Sequence, residues 1–373
     1  MKQFYSTLFL LSLSLATALA QAPAGYYDTA IGSGYTLKTQ LKEIIDANND
    51  GLATEYESTD NGYGGLYTTY LTSDKDFYFE NNGSLLDMYS ENPSGMDSYE
   101  YFYDSTPSQQ DPGSGGTVEG EYYNREHIIP QSVFSSGYPM KSDAHFVVPS
   151  DKYVNAQRGN LPFGVVQTPN YTSTNGSKRG NNLNSGYSAG YSLDVFEPID
   201  EFKGDIARMY FYFATRYEDN ISGFNSYDMF NGTNDQVFDI TFLNILYQWH
   251  TQDPVSTREI DRNNAIFNSQ NNRNPFIDNP SYVENIWSSL LSVKGFSKEE
   301  FQIYPNPVKN NILNVRTTKN VNYIIYDVLG KKVLSGNLSA NNNKINISAI
   351  NKGVYILQLK TSTGSITKKV VKQ

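Results

Sequence analysis

The stretch Tyr122-Tyr-Asn-Arg-Glu-His-Ile-Ile-Pro-Gln-Ser132, followed after a loop by Ser142-Asp-Ala-His-Phe-Val-Val-Pro-Ser-Asp-Lys-Tyr-Val-Asn-Ala-Gln-Arg-Gly-Asn160-Leu-Pro-Phe163, decides how this chain is read. Two apolar runs, Ile128-Ile129 and Phe146-Val147-Val148, predict short strands on either side of a Gly/Pro/Ser-rich connection. Ser150 suits the N-cap of a helix running through Asp151, Val154, Asn155 and Arg158. Asn155 and Arg158 stand three apart and so share a helix face. A strand-loop-strand-helix unit of this kind aims Glu126, His127, Asn155 and Arg158 at one place. Neighbours on a regular strand point to opposite faces, so Glu126 and His127 are expected to serve one site through a bend, with Pro130 marking an irregular strand end.

The residue types have a common chemistry. A neutral imidazole takes a proton from water near neutral pH. A carboxylate and an amide oxygen are hard donors for a hydrated cation such as Mg²⁺. An arginine clamps phosphate oxygens in pairs. Together they describe metal-assisted hydrolysis of a phosphodiester.

Asn124-Arg-Glu-His127 with Asp151-Lys-Tyr-Val-Asn155-Ala-Gln-Arg158 resembles the ββα-metal (His-Me finger) core of the bacterial endonuclease I family, extracellular or periplasmic DNA/RNA nucleases. Phe196-Glu-Pro198, Lys203-Gly-Asp-Ile-Ala-Arg208, Asp253-Pro-Val255, Arg262-Asn263 and Asn272-Arg-Asn-Pro-Phe-Ile-Asp278 extend the likeness in the same order, to about residues 25–290. The resemblance implies an α+β fold, a ββα-metal finger embedded in a mixed, helix-rich catalytic domain. It implies His127 as general base, Glu126 and Asn155 as ligands of Mg²⁺ (or Mn²⁺ or Ca²⁺), and Arg158 on the scissile or leaving phosphate. DNA is the expected substrate with RNA left open, 5′-phosphates the expected products, and sequence preference slight. His145 is expected to support the finger, His250 to be structural and Arg125 to be a local partner. The cysteines that many relatives carry before the finger are missing, and Val133 replaces a usual aromatic residue.

The ends place this domain in a larger plan. Lys2, the apolar run Leu8–Leu15 and Ala18-Leu19-Ala20 read as a secretory signal peptide at 1–20. The catalytic domain is expected at 21–295 and a small β-sandwich tail at 300–373. Tyr304-Pro-Asn-Pro307, Asp327-Val-Leu-Gly330 and Gly353-Val-Tyr355 in that tail resemble the C-terminal sorting domain of type IX secretion cargo. The resemblance implies export across a gram-negative outer membrane and a partner in the secretion machinery. The mature chain is expected to be a monomer with no transmembrane segment. The absence of cysteine excludes disulfides and thiolate zinc sites.

Net charge is −10, but from 301 onward the chain carries +10, leaving −20 on the remainder. So acidic a body binds phosphate backbones only through a local basic cleft, with salt-sensitive affinity. Lys178 and Arg179, read as part of a Gly/Asn/Ser-rich loop over 170–190, are candidates for its lip. Arg208, Arg262 and Arg273 are expected in buried ion pairs, with a phosphate track as the alternative. An amphipathic helix with Leu37, Leu41, Ile44 and Ile45 on one face leads into Asp46-Ala-Asn48-Asn-Asp50-Gly51-Leu-Ala-Thr-Glu-Tyr-Glu57. That segment fits both an EF-hand calcium loop, hence a structural Ca²⁺, and a helix-ending polar turn. The turn is the better fit because glycines 62, 64 and 65 interrupt any exit helix. Competing functional classes are a surface adhesion module and a phosphodiesterase acting outside nucleic acids. A zinc protease is disfavoured because Glu126-His127 is not the two-histidine H-E-x-x-H pattern.

Overall fold

A computed structural model describes residues 22–46, 58–106, 108–291, 302–317, 320–328, 331–339, 343–361 and 364–373. The signal peptide read at 1–20 and the calcium-type loop beyond Asp46 lie outside the described residues, but a helix, Gly62–Ser73, does follow that loop, contrary to the expectation that glycines 62, 64 and 65 would interrupt it. The chain divides into two compact units, Met1–Ser289 and Leu290–Gln373.

The elements of the first unit run α1 (Gly34–Ile45), α2 (Gly62–Ser73), β1 (Tyr123–His127), β2 (Val147–Asp151), α3 (Lys152–Arg158), β3 (Val166–Thr172), β4 (Lys178–Asn182), β5 (Asp194–Glu197), α4 (Lys203–Arg216), α5 (Glu218–Ile221), α6 (Ile240–Gln252), α7 (Thr257–Gln270), α8 (Pro275–Asp278) and α9 (Tyr282–Leu291). α4 is its axis. The sequence predicts a one-sided stripe of Phe202, Ile206, Met209, Tyr210, Phe213 and Tyr217, and all six are buried. So is every other residue from Gly204 to Arg216, because α1, α6 and α8 pack around the helix. The arginines among them enter the interior as ion pairs, since a buried charge without a partner is strongly destabilising. Arg208 forks onto Glu259, with Nη2 2.8 Å from Oε2, and Glu259 also closes a capping box with Ser256 at the start of α7. Arg262 pairs with Asp74 at 2.7 Å and Arg273 with Asp278 at 2.7 Å. Three arginines are thereby taken up internally.

The predicted finger forms with shifted boundaries. β1 and β2 pair antiparallel without a break in register, Asn124 opposite Ser150 and Glu126 opposite Val148. The apolar pair Ile128-Ile129 lies beyond β1, not in it. Its backbone is satisfied elsewhere: Ile128 N–H donates to Phe146 O at 3.1 Å, and Ile128 O accepts from Arg158 Nη2 and Tyr210 Oη. Both isoleucines are fully buried, and Tyr210 of α4 reaches the carbonyl of the first. Asp151, not Ser150, caps α3, its Oδ1 accepting Val154 N–H at 2.8 Å. Its Oδ2 accepts Tyr101 Oη–H at 2.6 Å and Gly120 N–H at 2.8 Å, while Asp87 holds the Asp151 N–H at 2.7 Å. These bonds fix the strand-to-helix junction from outside the finger.

The 170–190 segment is likewise not a loop: β3, β4 and β5 form a three-stranded antiparallel sheet, with β4 in the middle. Gly180 makes this possible, since a Cβ there would stand 2.2 Å from Thr168 O. Lys178 and Arg179 lie on β4, where Arg179 Nε donates to Asn170 Oδ1 at 3.0 Å.

The second unit contains β6 (Gln302–Tyr304), β7 (Ile312–Arg316), β8 (Val321–Asp327), β9 (Lys332–Leu338), β10 (Lys344–Asn346), β11 (Gly353–Thr361) and β12 (Gly364–Lys372). They build a three-stranded sheet, β10-β7-β6, and a four-stranded one, β12-β11-β8-β9. Alternate residues such as Leu313 and Val315, or Tyr355, Leu357 and Leu359, fill one shared core. The tail is the β-sandwich its short alternating strands predict.

Candidate active site

Strict alternation along β1 sends its side chains two ways. Asn124 and Glu126 face α3: Asn155 Nδ2 donates to Asn124 Oδ1 at 2.8 Å, and Arg158 Nη1 stands 3.1 Å from Glu126 Oε1. Arg125 and His127 face α2 instead. The Arg125 guanidinium lies 3.4 Å above the Tyr63 ring, and the His127 ring centre is 5.8 Å from that of Tyr63. No bend occurs within the strand, contrary to expectation. The residues still meet, because a cavity of about 240 Å³ is lined by Asn124, Arg125, Glu126 and His127 together with Tyr63 and Asn155. β2 occupies one edge of β1, and among the described residues no strand pairs with 124–127 on the other. Side chains from both faces therefore reach around an open strand edge into the same space.

Glu126 is buried. Its Oε1 accepts Tyr89 Oη–H at 2.9 Å and faces Arg158. Burial pushes its carboxyl up to about 7, against the opposing pull of Arg158 and the Tyr89 hydroxyl. The amide of Asn155 is oriented by its bond to Asn124: with Nδ2 donating there, Oδ1 is the acceptor left on the side chain. A carboxylate and an oriented amide oxygen lining one polar cavity make a hard-oxygen donor set, which fits a divalent cation completed by water.

His127 is set up as a neutral base. Burial lowers its pKa to about 4, a shift that Arg125, Arg158 and Lys141 reinforce. Its Nε2 lies 3.0 Å from Lys141 O. A carbonyl only accepts, so Nε2 carries the proton and the lone pair sits on Nδ1.

Arg158 lines the same cavity. It is only 1% exposed, and besides Glu126 it donates from Nη1 to His127 O at 2.8 Å and from Nη2 to Ile128 O at 2.6 Å. Its guanidinium ties the end of β1 to α3 and is taken up by these partners. His145 is buried, bonded through Nε2 to Asn272 O at 3.0 Å and packed 4.6 Å from the Tyr212 ring, and does not line the cavity. His250 is half-buried, between Arg208 and Pro280 O. Two residues that sequence reasoning missed complete the surroundings. Tyr89 orients Glu126, and Tyr63 forms the wall shared by Arg125 and His127. Tyr89 lies in the Asp87–Ser90 segment, whose sequence reads only as polar loop, and nothing in the spacing links it to β1.

Comparison with known proteins gives the chain its family. The Endonuclease I family model matches residues 33–281, and the model of the secretion system C-terminal sorting domain matches 302–373. An extracellular ribonuclease of Bacillus amyloliquefaciens is 32% identical over 267 residues, covering 70% of this chain and 78% of that protein. An extracellular ribonuclease of Bacillus subtilis (strain 168) is 31% identical over 283 residues, covering 74% and 83% respectively. With the finger, its cavity and two thirds of its length matched in this way, the chain belongs to the endonuclease I family, a nuclease hydrolase that carries a C-terminal secretion sorting domain.

Proposed function

We propose that this chain is an exported, divalent-metal-dependent endonuclease that hydrolyses phosphodiester bonds of DNA, and of RNA as well, with low sequence preference. The observation that carries the reading is the cavity at the open edge of β1, lined at once by a neutral imidazole, a buried carboxylate and an oriented amide. The names of the Bacillus relatives support RNA as a second substrate. The sorting domain and the N-terminal leader support export across a gram-negative outer membrane.

In this mechanism His127 Nδ1 takes a proton from a water lying in line with the phosphorus. The Lys141 carbonyl, held against Nε2–H, stabilises the charge that the ring acquires. The water oxygen bonds to phosphorus as the P–O3′ bond breaks, leaving a 5′-phosphate and a 3′-hydroxyl protonated from solvent. Glu126 and Asn155 would hold the cation, Mg²⁺ foremost with Mn²⁺ or Ca²⁺ as alternatives, which would supply charge neutralisation on the phosphate and leaving oxygens. Arg158 keeps Glu126 and the β1 carbonyls in place and is a positioning residue. Arg125 and Lys141, both beside Tyr63, supply the local positive field that the acidic body lacks.

The test is digestion of a plasmid and of a single-stranded RNA by wild type and by His127→Ala, in Mg²⁺ and in EDTA. Cutting is expected to vanish in EDTA and nearly vanish in the variant. Undiminished, chelator-resistant cutting by His127→Ala overturns the reading.

A further inference from the structure

After α2 the chain makes a tight loop at 77–81, and a second turn closes at Glu91. Asp76, Glu80 and Glu91 meet between them, each offering a carboxylate oxygen within 4.8 Å of the others. None of the three lines the cavity of the nuclease site. Asp76 is 1% exposed and its two oxygens accept four backbone N–H groups, those of Tyr78, Phe79, Glu80 and Asn81, at 2.9–3.1 Å. The loop that carries Glu80 is thus preformed. Glu80 Oε1 accepts Asp97 N–H at 3.2 Å, which leaves its other oxygen available.

Glu91 is the anomaly. It is also 1% exposed, yet its buried Oε1 has no hydrogen-bond partner. An isolated buried carboxylate is costly unless a charge or donor answers it. Its strongest charged neighbours, Asp97, Glu80, Asp76 and Asp87, are all acids. Burial and these neighbours together push the Glu91 carboxyl up to about 9. No guanidinium or ammonium group pairs with Asp76, Glu80 or Glu91 among the described residues, whereas the buried acids Asp74, Asp143 and Glu259 each have an arginine.

We propose that Asp76, Glu80 and Glu91 form a structural cation site that takes Ca²⁺, separate from the nuclease centre. Carboxylate oxygens all within 4.8 Å of one another can share one ion, and Ca²⁺ accepts an irregular, carboxylate-rich shell of about six to eight oxygens where Mg²⁺ demands a near-ideal octahedron. With the Asp76 oxygens engaged by the loop, Glu80 and Glu91 make the shortest bonds, Asp76 adds its charge, and water fills the remaining positions. The ion has a consequence at the active site, because the turn it anchors also carries Tyr89, the donor to Glu126.

The experiment is thermal unfolding of the full chain in CaCl₂ and in EGTA. Calcium at a hundredfold excess over its Kd is expected to raise the Tm of wild type by about 5 °C or more. Glu91→Gln and Glu80→Gln are each expected to lose the shift, and in EGTA Glu91→Gln should match wild type in stability, because the amide replaces a carboxyl that burial and its acidic neighbours already hold neutral near pH 7 without the ion. The double variant Glu126→Gln/Asn155→Ala, which disables the nuclease centre's donors, should keep the shift, so failure of the nuclease reading and failure of this one are distinguishable. If Glu91→Gln does not fold, the half-buried Glu80→Gln carries the test. A wild type indifferent to calcium, a shift that survives in the glutamate variants, or one lost in the double variant overturns the proposal.

Discussion

Replacing Arg158 with methionine separates two incompatible roles. If the guanidinium reaches out to a phosphate, the substitution weakens substrate binding and leaves the fold alone. The structure gives it other work: it is buried against Glu126 at 3.1 Å and donates to the carbonyls of His127 and Ile128 at 2.8 and 2.6 Å. Removing one member of a buried ion pair costs about 3–5 kcal/mol, and each carbonyl left dry adds about 1–3 kcal/mol. These terms overlap, since the carboxyl can protonate and cavity water can reach part of the gap. We expect a net loss of about 4–6 kcal/mol, a large share of the roughly 5–15 kcal/mol that folded domains possess. Urea unfolding followed by circular dichroism reads this as a lowered midpoint at unchanged slope. Adding Glu126→Gln should recover about 2 kcal/mol, because the stranded charge is then absent. A loss below about 1 kcal/mol accompanied by a raised KM for DNA refutes the positioning assignment and restores the phosphate clamp.

His127→Ala should lower kcat/KM by about 10²–10⁴ with an unchanged circular dichroism spectrum, measured on plasmid in Mg²⁺. Tyr89→Phe removes the donor to Glu126 Oε1 and should raise the Mg²⁺ concentration for half-maximal cutting roughly 10–100-fold, while kcat at saturating metal changes less. Asn155→Ala should raise that requirement further, and Asn124→Ala, which frees the Asn155 amide to rotate, should act in the same direction. Stability should decline in mild acid through His145. Burial holds its pKa at about 4, against about 6.5 in the unfolded chain. Its contribution is therefore full above pH 6.5 and is lost as pH falls towards 4, by about 3 kcal/mol in all. His145→Gln should flatten that slope in thermal unfolding between those limits.

Much of the architecture was legible because it rests on local rules. Apolar spacing announced α1 and α4, alternation announced the strands of the tail, and the offset between Asn155 and Arg158 placed both on one side of α3. Boundaries within the finger were not legible, because Ile128-Ile129 look like a strand but lie just beyond β1, the Ile128 carbonyl being taken by the side chains of Arg158 and Tyr210. The 170–190 segment looked like a loop because the turns flanking β4 are rich in Gly, Asn and Ser, while within β4 Gly180 is required by the close approach of Thr168 O.

By itself the sequence determined which residue types stand at the candidate site, the family, and the two-part plan of nuclease domain and sorting tail, since these depend on short spacings and motifs. Tertiary structure alone decided how neighbouring residues on an unbent strand share one cavity, which way Arg158 points, and that Tyr89 and Tyr63 belong beside Glu126 and His127. The physical reason is range: capping, periodicity and ligand spacing act over a few residues. A buried charge instead takes its partner from wherever the folded chain brings one, as Tyr89 is brought 37 residues along the chain to Glu126.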